Sequence, residues 1–408
     1  ERHESDWAWD QDSKTLSLEL TFQDSLYPIA LDPTLQFTAP ATSNTGEVIT
    51  GEVSSQFGNS MITGDFNADG KMDLAVGALG YSSNTGRVYL FYQDGALSTT
   101  AVGADVVITG EGTGNRLGAS LAAGDLNTDG KTDLAVGAQG YSTNTGRAYI
   151  FYNDGSYPTS AASADVIITG EATGNYFGNS LISGDFNADS KADLVVGAYG
   201  YSSFTGRAYI FYNDGSIPTT AATADVIITG EATNNFFSAS MAAGDFNADG
   251  RTDLAVGAQS YSSNTGRAYI FYNDGSIPTA AGSADVIITG EATSNSFGSP
   301  IVAGDLNADG KTDLVVSAVL YSSGTGRTYI FYNDGSIPTT AATADVIITG
   351  ETAGDYFGQR LIASDLNTDG RIDLIAGTNS YSSFTGRAYI FYSQNGQVNT
   401  NKSIAGGA

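Results

Sequence analysis

The chain has 408 residues and carries 44 acidic against 17 basic side chains, a formal net charge of −27. Such acidity argues against nucleic acid or an anionic membrane surface as a partner, and no apolar run approaches the roughly 20 residues needed to insert across a bilayer. Cysteine is absent, so no disulfide framework can be read, while 51 glycines, 23 tyrosines and only 15% charged residues point to an all-β protein.

Residues 1–46 differ from everything after them and are read as an extended N-terminal tail. They hold the only tryptophans, Trp7 and Trp9, and the only histidine, His3. The chain starts at Glu1 rather than Met, which points to a processed or trimmed N-terminus. Leu16, Leu18, Leu20 and Phe22 alternate with polar residues, the pattern of a strand with one apolar face. A second extended piece is expected over Tyr27–Pro33. About 45 residues rarely build a core alone, so the apolar face of the tail is expected to be covered by the repeat body or by another chain.

From residue 47 to about residue 396 the sequence repeats with a period of 60 residues. The fourth unit serves as the pattern. Ser240–Asp245 and Asp253–Ala258 read as strands flanking a polar loop. Ala268–Tyr272 and Asp285–Thr289 follow, separated by the turn that starts at Asn273-Asp274-Gly275. Runs rich in Val, Ile, Tyr and Phe between Gly, Pro, Asn and Asp are strand signals. Four strands per unit at a fixed period predict a β-propeller with one blade per repeat. The sixth unit lacks its last strand, and a matching stretch, Glu47–Glu52, stands ahead of the first. An N-terminal strand that completes the final blade would close the ring and remove both sheet edges. Six repeats then give six blades, with a seventh drawn from residues 1–46 as the alternative. Residues 397–408 form a C-terminal tail.

The polar loop between the first two strands recurs six times with its residue types in register. The copies are Asp65, Asn67, Asp69, Lys71 and Asp73; Asp125, Asn127, Asp129, Lys131 and Asp133; Asp185, Asn187, Asp189, Lys191 and Asp193. The remaining three are Asp245, Asn247, Asp249, Arg251 and Asp253; Asp305, Asn307, Asp309, Lys311 and Asp313; Asp365, Asn367, Asp369, Arg371 and Asp373. In each, three carboxylates and an amide stand at positions 1, 3, 5 and 9, and the Lys or Arg at position 7 offers its backbone carbonyl. Calcium takes roughly six to eight oxygen ligands, and this spacing can supply most of them. Glycine at position 6 permits the left-handed backbone that a tight loop needs; the third copy has Ser190 there. An EF-hand is excluded because position 12 is apolar (Val76, Val136, Val256) where a Glu is needed. The plainer alternative is an ion-free hairpin turn, since Asp, Asn and Gly favour turns, but a turn needs fewer oxygen side chains than six copies keep. About six Ca²⁺ ions, one per repeat, are therefore expected, and they would bring the charge from −27 to −15 (−27 + 12).

These residues resemble the FG-GAP repeats of integrin alpha-subunit propellers and of many bacterial surface proteins. The likeness lies in Phe57-Gly58, Phe177-Gly178, Phe297-Gly298 and Phe357-Gly358, each followed by the acidic loop and, after Phe57-Gly58 and Phe177-Gly178, by Gly-Ala. Leu117-Gly118, Phe237-Ser238, Ser317-Ala318 and Gly377-Thr378 depart from the pattern, and Gly-Ala is never followed by the family's Pro. The resemblance implies calcium on hairpin loops at the rim of one face, and extracellular adhesion or scaffolding rather than catalysis. Integrin-type propellers have seven blades, so six copies leave the count open. Tyr27–Pro33 looks like the strand that often precedes such repeats in bacterial proteins.

With no Cys and one His, only carboxylates remain for acid–base chemistry, and most of them sit in the loops, so the chain is read as non-enzymatic. The preferred reading is a secreted, calcium-binding structural or adhesion protein that polymerises into a fibre through its tail. The alternative is a monomeric module binding glycans or cell-surface proteins. Tyr199, Phe204, Phe384, Arg116, Tyr176, Phe236 and Tyr356 differ between repeats and fall on the loops opposite the acidic ones, where a partner would be met. Absence of Trp from the repeats weighs against a lectin. Arg87, Arg147, Arg207, Arg267, Arg327 and Arg387 are read as inter-blade ion pairs with Glu52, Glu111, Glu171, Glu231, Glu291 and Glu351. Asn401-Lys402-Ser403 is a glycosylation sequon.

Overall fold

A computed structural model describes residues 6–10, 15–19, 48–378, 380–381, 386–394 and 397–398. Tyr27–Pro33, His3, Phe384 and the sequon at Asn401 lie outside the described residues.

Each repeat folds as its residue types dictate. In the fourth, strand A (Phe237–Gly244), strand B (Asp253–Ala258), strand C (Arg267–Phe271) and strand D (Val286–Thr289) form an antiparallel sheet in sequence order. Met241 pairs with Val256, Leu254 with Phe271 and Arg267 with Thr289, and a bulge interrupts strand A between Phe237 and Met241. The sheet is apolar on both faces because each face meets another blade. Five cores result, and each takes its buried side chains from two successive repeats: Ala255, Ile270 and Ile288 of the fourth meet Phe297, Val316 and Tyr329 of the fifth. The protein is a six-bladed β-propeller, all-β as the strand pattern predicts.

The sixth sheet has three strands among the described residues, Arg360–Ser364, Asp373–Thr378 and Arg387–Phe391. The stretch expected to supply its fourth strand stands against the first blade. Thr50 makes a parallel bridge to Thr100, the contact Thr109 makes with Ser160 one repeat later. A fourth strand has two neighbours, strand C of its own blade and the edge of the next. Among the described residues Val48–Thr50 makes the second contact, and no ladder joins it to Arg387–Phe391. The last strand C is followed by a short pair, Ser393–Gln394 with Gln397–Val398, and Val398 is buried in the last core.

In the tail, β1 (Asp6–Asp10) and β2 (Thr15–Glu19) pair antiparallel. The alternation over residues 15–19 is thus a strand, and its partner is the segment that carries both tryptophans.

Candidate metal centres

The six acidic loops join strands A and B and lie with the C–D turns at one end of the blades. Loop backbone and side chains hold each other in place. In the fourth loop the N–H of Asp249 donates to Asp245 Oδ1 and to Asn247 Oδ1, both at 3.0 Å. Gly250 N–H donates to Asp245 Oδ2 at 2.8 Å, and Arg251 N–H to Asp249 Oδ1 at 2.9 Å. The first three acidic or amide positions are oxygen ligands pinned to a tight turn, half-buried at Asp245 and Asn247 and exposed at Asp249. The turn requires positive φ at position 6, +85° at Gly250. Ser190 adopts φ 68° at the same place and keeps the bond to Asp185 Oδ2, at 2.8 Å, so the third loop tolerates its side chain at a conformational cost.

Position 9 behaves differently. Asp253 is fully buried at the start of strand B, and both of its oxygens accept backbone N–H bonds at 2.8 Å, from Phe246 in the loop and from Asn273 at the end of strand C. Asn273 in turn donates from Nδ2 to the carbonyl of Asp185, 3.3 Å away in the preceding blade. The same arrangement recurs at Asp133, Asp193 and Asp313 through Asn153, Asn213 and Asn333, and Asp73 accepts the two backbone bonds from Phe66 and Gln93. This carboxylate therefore ties together the acidic loop and the C–D turn, and through Asn273 the neighbouring blade. Sequence spacing assigned it to the metal alone; the Asn that opens the Asn-Asp-Gly turn in the second to fifth units, Asn153, Asn213, Asn273 and Asn333, was the overlooked signal.

Electrostatics shows how close the loop charges lie. Burial pushes the Asp253 carboxyl up to about 6; the N–H bonds from Asn273 and Phe246 oppose this, and the charges of Asp249 and Asp245 add to it. Asp133, Asp193 and Asp313 are raised to about 6 by the same causes. Among the described residues no three acidic side chains are drawn into a coordination cluster. The donor set nonetheless fits a hard cation: it is oxygen only, its three negative charges repel one another, and position 5 is exposed while positions 1 and 3 are only half-buried in the fourth loop. Position 7 is where the Lys71, Lys131, Lys191, Arg251, Lys311 and Arg371 main chain passes. The side chains of Lys71, Lys131 and Lys191 lie near the carboxylate of position 5, and Lys131, Lys191 and Arg251 reach carbonyls of the C–D turn.

The recurring arginines form the inter-blade pairs expected of them, in all six repeats, at 2.6–2.9 Å. Arg267 Nη1 donates to Glu231 Oε1, which follows strand D of the preceding blade, and Nε donates to Thr289 at 3.2 Å. The Tyr269 hydroxyl donates to the same Glu231 oxygen at 2.7 Å, and the guanidinium lies 3.8 Å from the centre of the Tyr261 ring. Burial and then Glu231 push the Tyr269 hydroxyl well above its ordinary range, so it remains a donor. The tyrosines six before and two after each Arg carried this signal unread.

At the opposite end of the blades, the B–C connection is a tight turn in which Ser262, Ser263 and Asn264 have φ of 46°, 57° and 60°. The next D–A loop locks it, with Ser294 and Ser296 donating to the Ser263 and Asn264 carbonyls. This end carries the non-repeating residues. Tyr176, Tyr199, Phe204 and Phe236 gather into one group of near-parallel rings, with centroids 4.8–6.4 Å apart. All four rings are half-buried. Tyr356 packs away from them, against Gly324.

Fold and loops together define a class: β-propellers whose blade hairpins carry acidic, oxygen-rich loops. The chain matches the FG-GAP repeat model over residues 57–91, 117–151, 177–211 and 237–271, and the FG-GAP-like repeat model over residues 305–376. It belongs to the FG-GAP repeat proteins. It is 28% identical over 367 residues to phosphatidylinositol-glycan-specific phospholipase D of Bos taurus, covering 78% of this chain and 43% of that protein. It is 38% identical to integrin alpha-IIb of Mus musculus over 165 residues, 37% of this chain and 16% of the integrin. To integrin alpha-PS2 of Drosophila melanogaster it is 31% identical over 222 residues, 50% of this chain and 15% of the integrin. The chain thus spans less than half the length of these relatives. Among the described residues no helix is long and apolar enough to cross a membrane.

Proposed function

We propose that the protein is an extracellular, non-enzymatic adhesion or scaffolding module whose blades are stabilised by calcium. Positions 1, 3, 5 and 9 of each acidic loop, with the carbonyl of position 7, hold one ion per repeat. The observation that carries this reading is the set of turn-pinned oxygen ligands at Asp245, Asn247 and Asp249, half-buried at the first two and exposed at the third, and their five counterparts. When bound, the ion neutralises the repulsion between the three carboxylates and so strengthens the hairpin that each blade presents at this end. Kinship with integrin alpha subunits over part of the chain supports an adhesion role. The non-repeating end, with its group of Tyr176, Tyr199, Phe204 and Phe236, is the face offered to a glycan or a cell-surface protein. The phospholipase relative raises the question of catalysis, but the repeats supply no His or Cys.

The test is a melting curve in saturating calcium and in chelator. An ion that binds only the folded loops raises the melting temperature, and Asp249→Asn reduces that rise while leaving the chelator curve nearly unmoved. Identical curves with and without calcium would remove the assignment.

A further inference from the structure

Among the described residues five blade contacts are two-sided, and a sixth is not. Leu121, Leu181, Met241, Ile301 and Leu361 are buried by the preceding blade, but Met61, at the same position in the first blade, is 58% exposed. Met72 beside it is 61% exposed. On the far flank of the last blade Leu366 is 45% exposed, where its counterpart Leu306 is fully buried. Among the described residues the first blade's half-core of Val76, Tyr89, Phe91 and Ala101 has Ile49 and Phe57 against it but nothing from the last repeat.

Direct closure by a sixth copy of the same contact meets a steric obstacle. At all five contacts the residue before the acidic loop is Gly, and the next blade stands close: a Cβ at Gly124 would lie 3.1 Å from Ala192, the smallest of the facing residues, and the other four lie closer. A Cβ at Gly244 would stand 2.5 Å from Thr312, and one at Gly64, Gly184 or Gly304 would stand 2.9 Å from Thr132, Thr252 or Ile372. In the last blade this position is Ser364, and the residue it would face in the first blade is Met72, longer than any of its counterparts. Both partners at the sixth contact are therefore oversized, and side chains that meet at such distances force a shift.

We infer that the first blade's flank is covered by the chain's own N-terminal ribbon, β1 with β2. The register pairs Trp7 with Leu18 and Trp9 with Leu16, so these four residues share one face of the ribbon, while Asp6, Ala8, Asp10, Thr15, Ser17 and Glu19 share the other. A two-stranded ribbon is marginal alone and needs an apolar surface to rest on. Its chain enters the body at Val48–Thr50, which lies along the first blade itself, so the tail is delivered at the uncovered flank. Residues 20–47, fully extended, reach on the order of 90 Å, which leaves the ribbon free to fold back onto Met61 and Met72. One apolar face suits one wall, and the first blade offers the wall nearest to the chain's entry. This inference does not depend on what the loops bind.

Trp7 and Trp9 are the only tryptophans, so their fluorescence reports on the ribbon alone. The measurement is acrylamide quenching in the full chain, from dilute to concentrated protein, against N-acetyltryptophanamide. Expected are quenching several-fold weaker than that of the free amide, independence of protein concentration, and a rise towards the free value in Met61→Glu. Met61 is exposed in the blade, so this change leaves the core intact, and circular dichroism checks that it does. Ile362→Glu, on the last blade's flank, leaves quenching unchanged. Free-like quenching in the unaltered chain, or no response to Met61→Glu, overturns the inference. So does exposure by Ile362→Glu, which places the ribbon on the other wall, and so does protection lost on dilution, which places it on a second copy.

Discussion

Replacing Asp253 separates a structural carboxylate from a metal ligand. Its two oxygens each accept a backbone N–H bond at 2.8 Å in a fully buried site. Hydrogen bonds to a buried charged group contribute about 1.5–3 kcal/mol each. Asp253→Ala leaves the Phe246 and Asn273 donors without partners, so it is expected to destabilise by about 3–6 kcal/mol. Asp253→Asn retains one acceptor and should lose about half as much. Asp249, whose carboxylate faces solvent at position 5, gives the contrast: Asp249→Asn in chelator is expected to change stability by less than about 0.5 kcal/mol, the usual range for surface substitutions. Urea unfolding in chelator, followed by circular dichroism, measures all three. If Asp253→Ala unfolds at the same urea concentration as the parent when calcium is absent, the carboxylate has no role beyond the ion and the reasoning fails.

Ser190→Gly relieves a left-handed residue that bears a Cβ and is expected to stabilise the third loop by about 0.5–1 kcal/mol, the left-handed strain being partly offset by glycine's entropy; a lower urea midpoint would contradict it. Arg267→Ala removes the bonds to Glu231 and Thr289 and the stacking on Tyr261, for an expected loss of about 1–3 kcal/mol in the same assay, and Arg267→Lys recovers only part of it because a lysine cannot serve all three partners. Gly244→Ala places a methyl 2.5 Å from Thr312 and should destabilise the contact between blades 4 and 5, by about 1–3 kcal/mol as for overpacking elsewhere. The same change at Gly250, where no atom stands within 4 Å, meets only the strain of its positive φ. Equal effects at the two glycines would refute the steric argument made for Ser364 and Met72.

The blades were legible because one 60-residue pattern recurs: alternating β-favouring runs and turn residues fix four strands wherever they appear. The Arg–Glu pairs were legible for the same reason, as a sixfold feature of a repeat protein is architectural. Period alone cannot say which contacts a strand makes at the ends of the array. Val48–Thr50 has the sequence of a fourth strand and takes that strand's place against the next blade, yet among the described residues it is not laddered to the last blade. The obstacle is visible in the sequence only once packing shows why position 64 and its repeats are glycine; Ser364 and Met72 are otherwise unremarkable substitutions. Asp253 was read by spacing as a ligand alone; spacing carries no burial, so its bonds to the Phe246 and Asn273 backbone went unread. The left-handed Ser262-Ser263-Asn264 turn was also hidden, because these residues favour turns without specifying the hand.

Calorimetric titration of the chelator-treated chain with calcium tests the central claim most directly. The account predicts saturable binding with a stoichiometry near six, one ion for each acidic loop, reduced by one in a chain carrying Asp245→Ala and Asp249→Ala together. Absence of binding heat, or a stoichiometry unchanged by that double substitution, would contradict it.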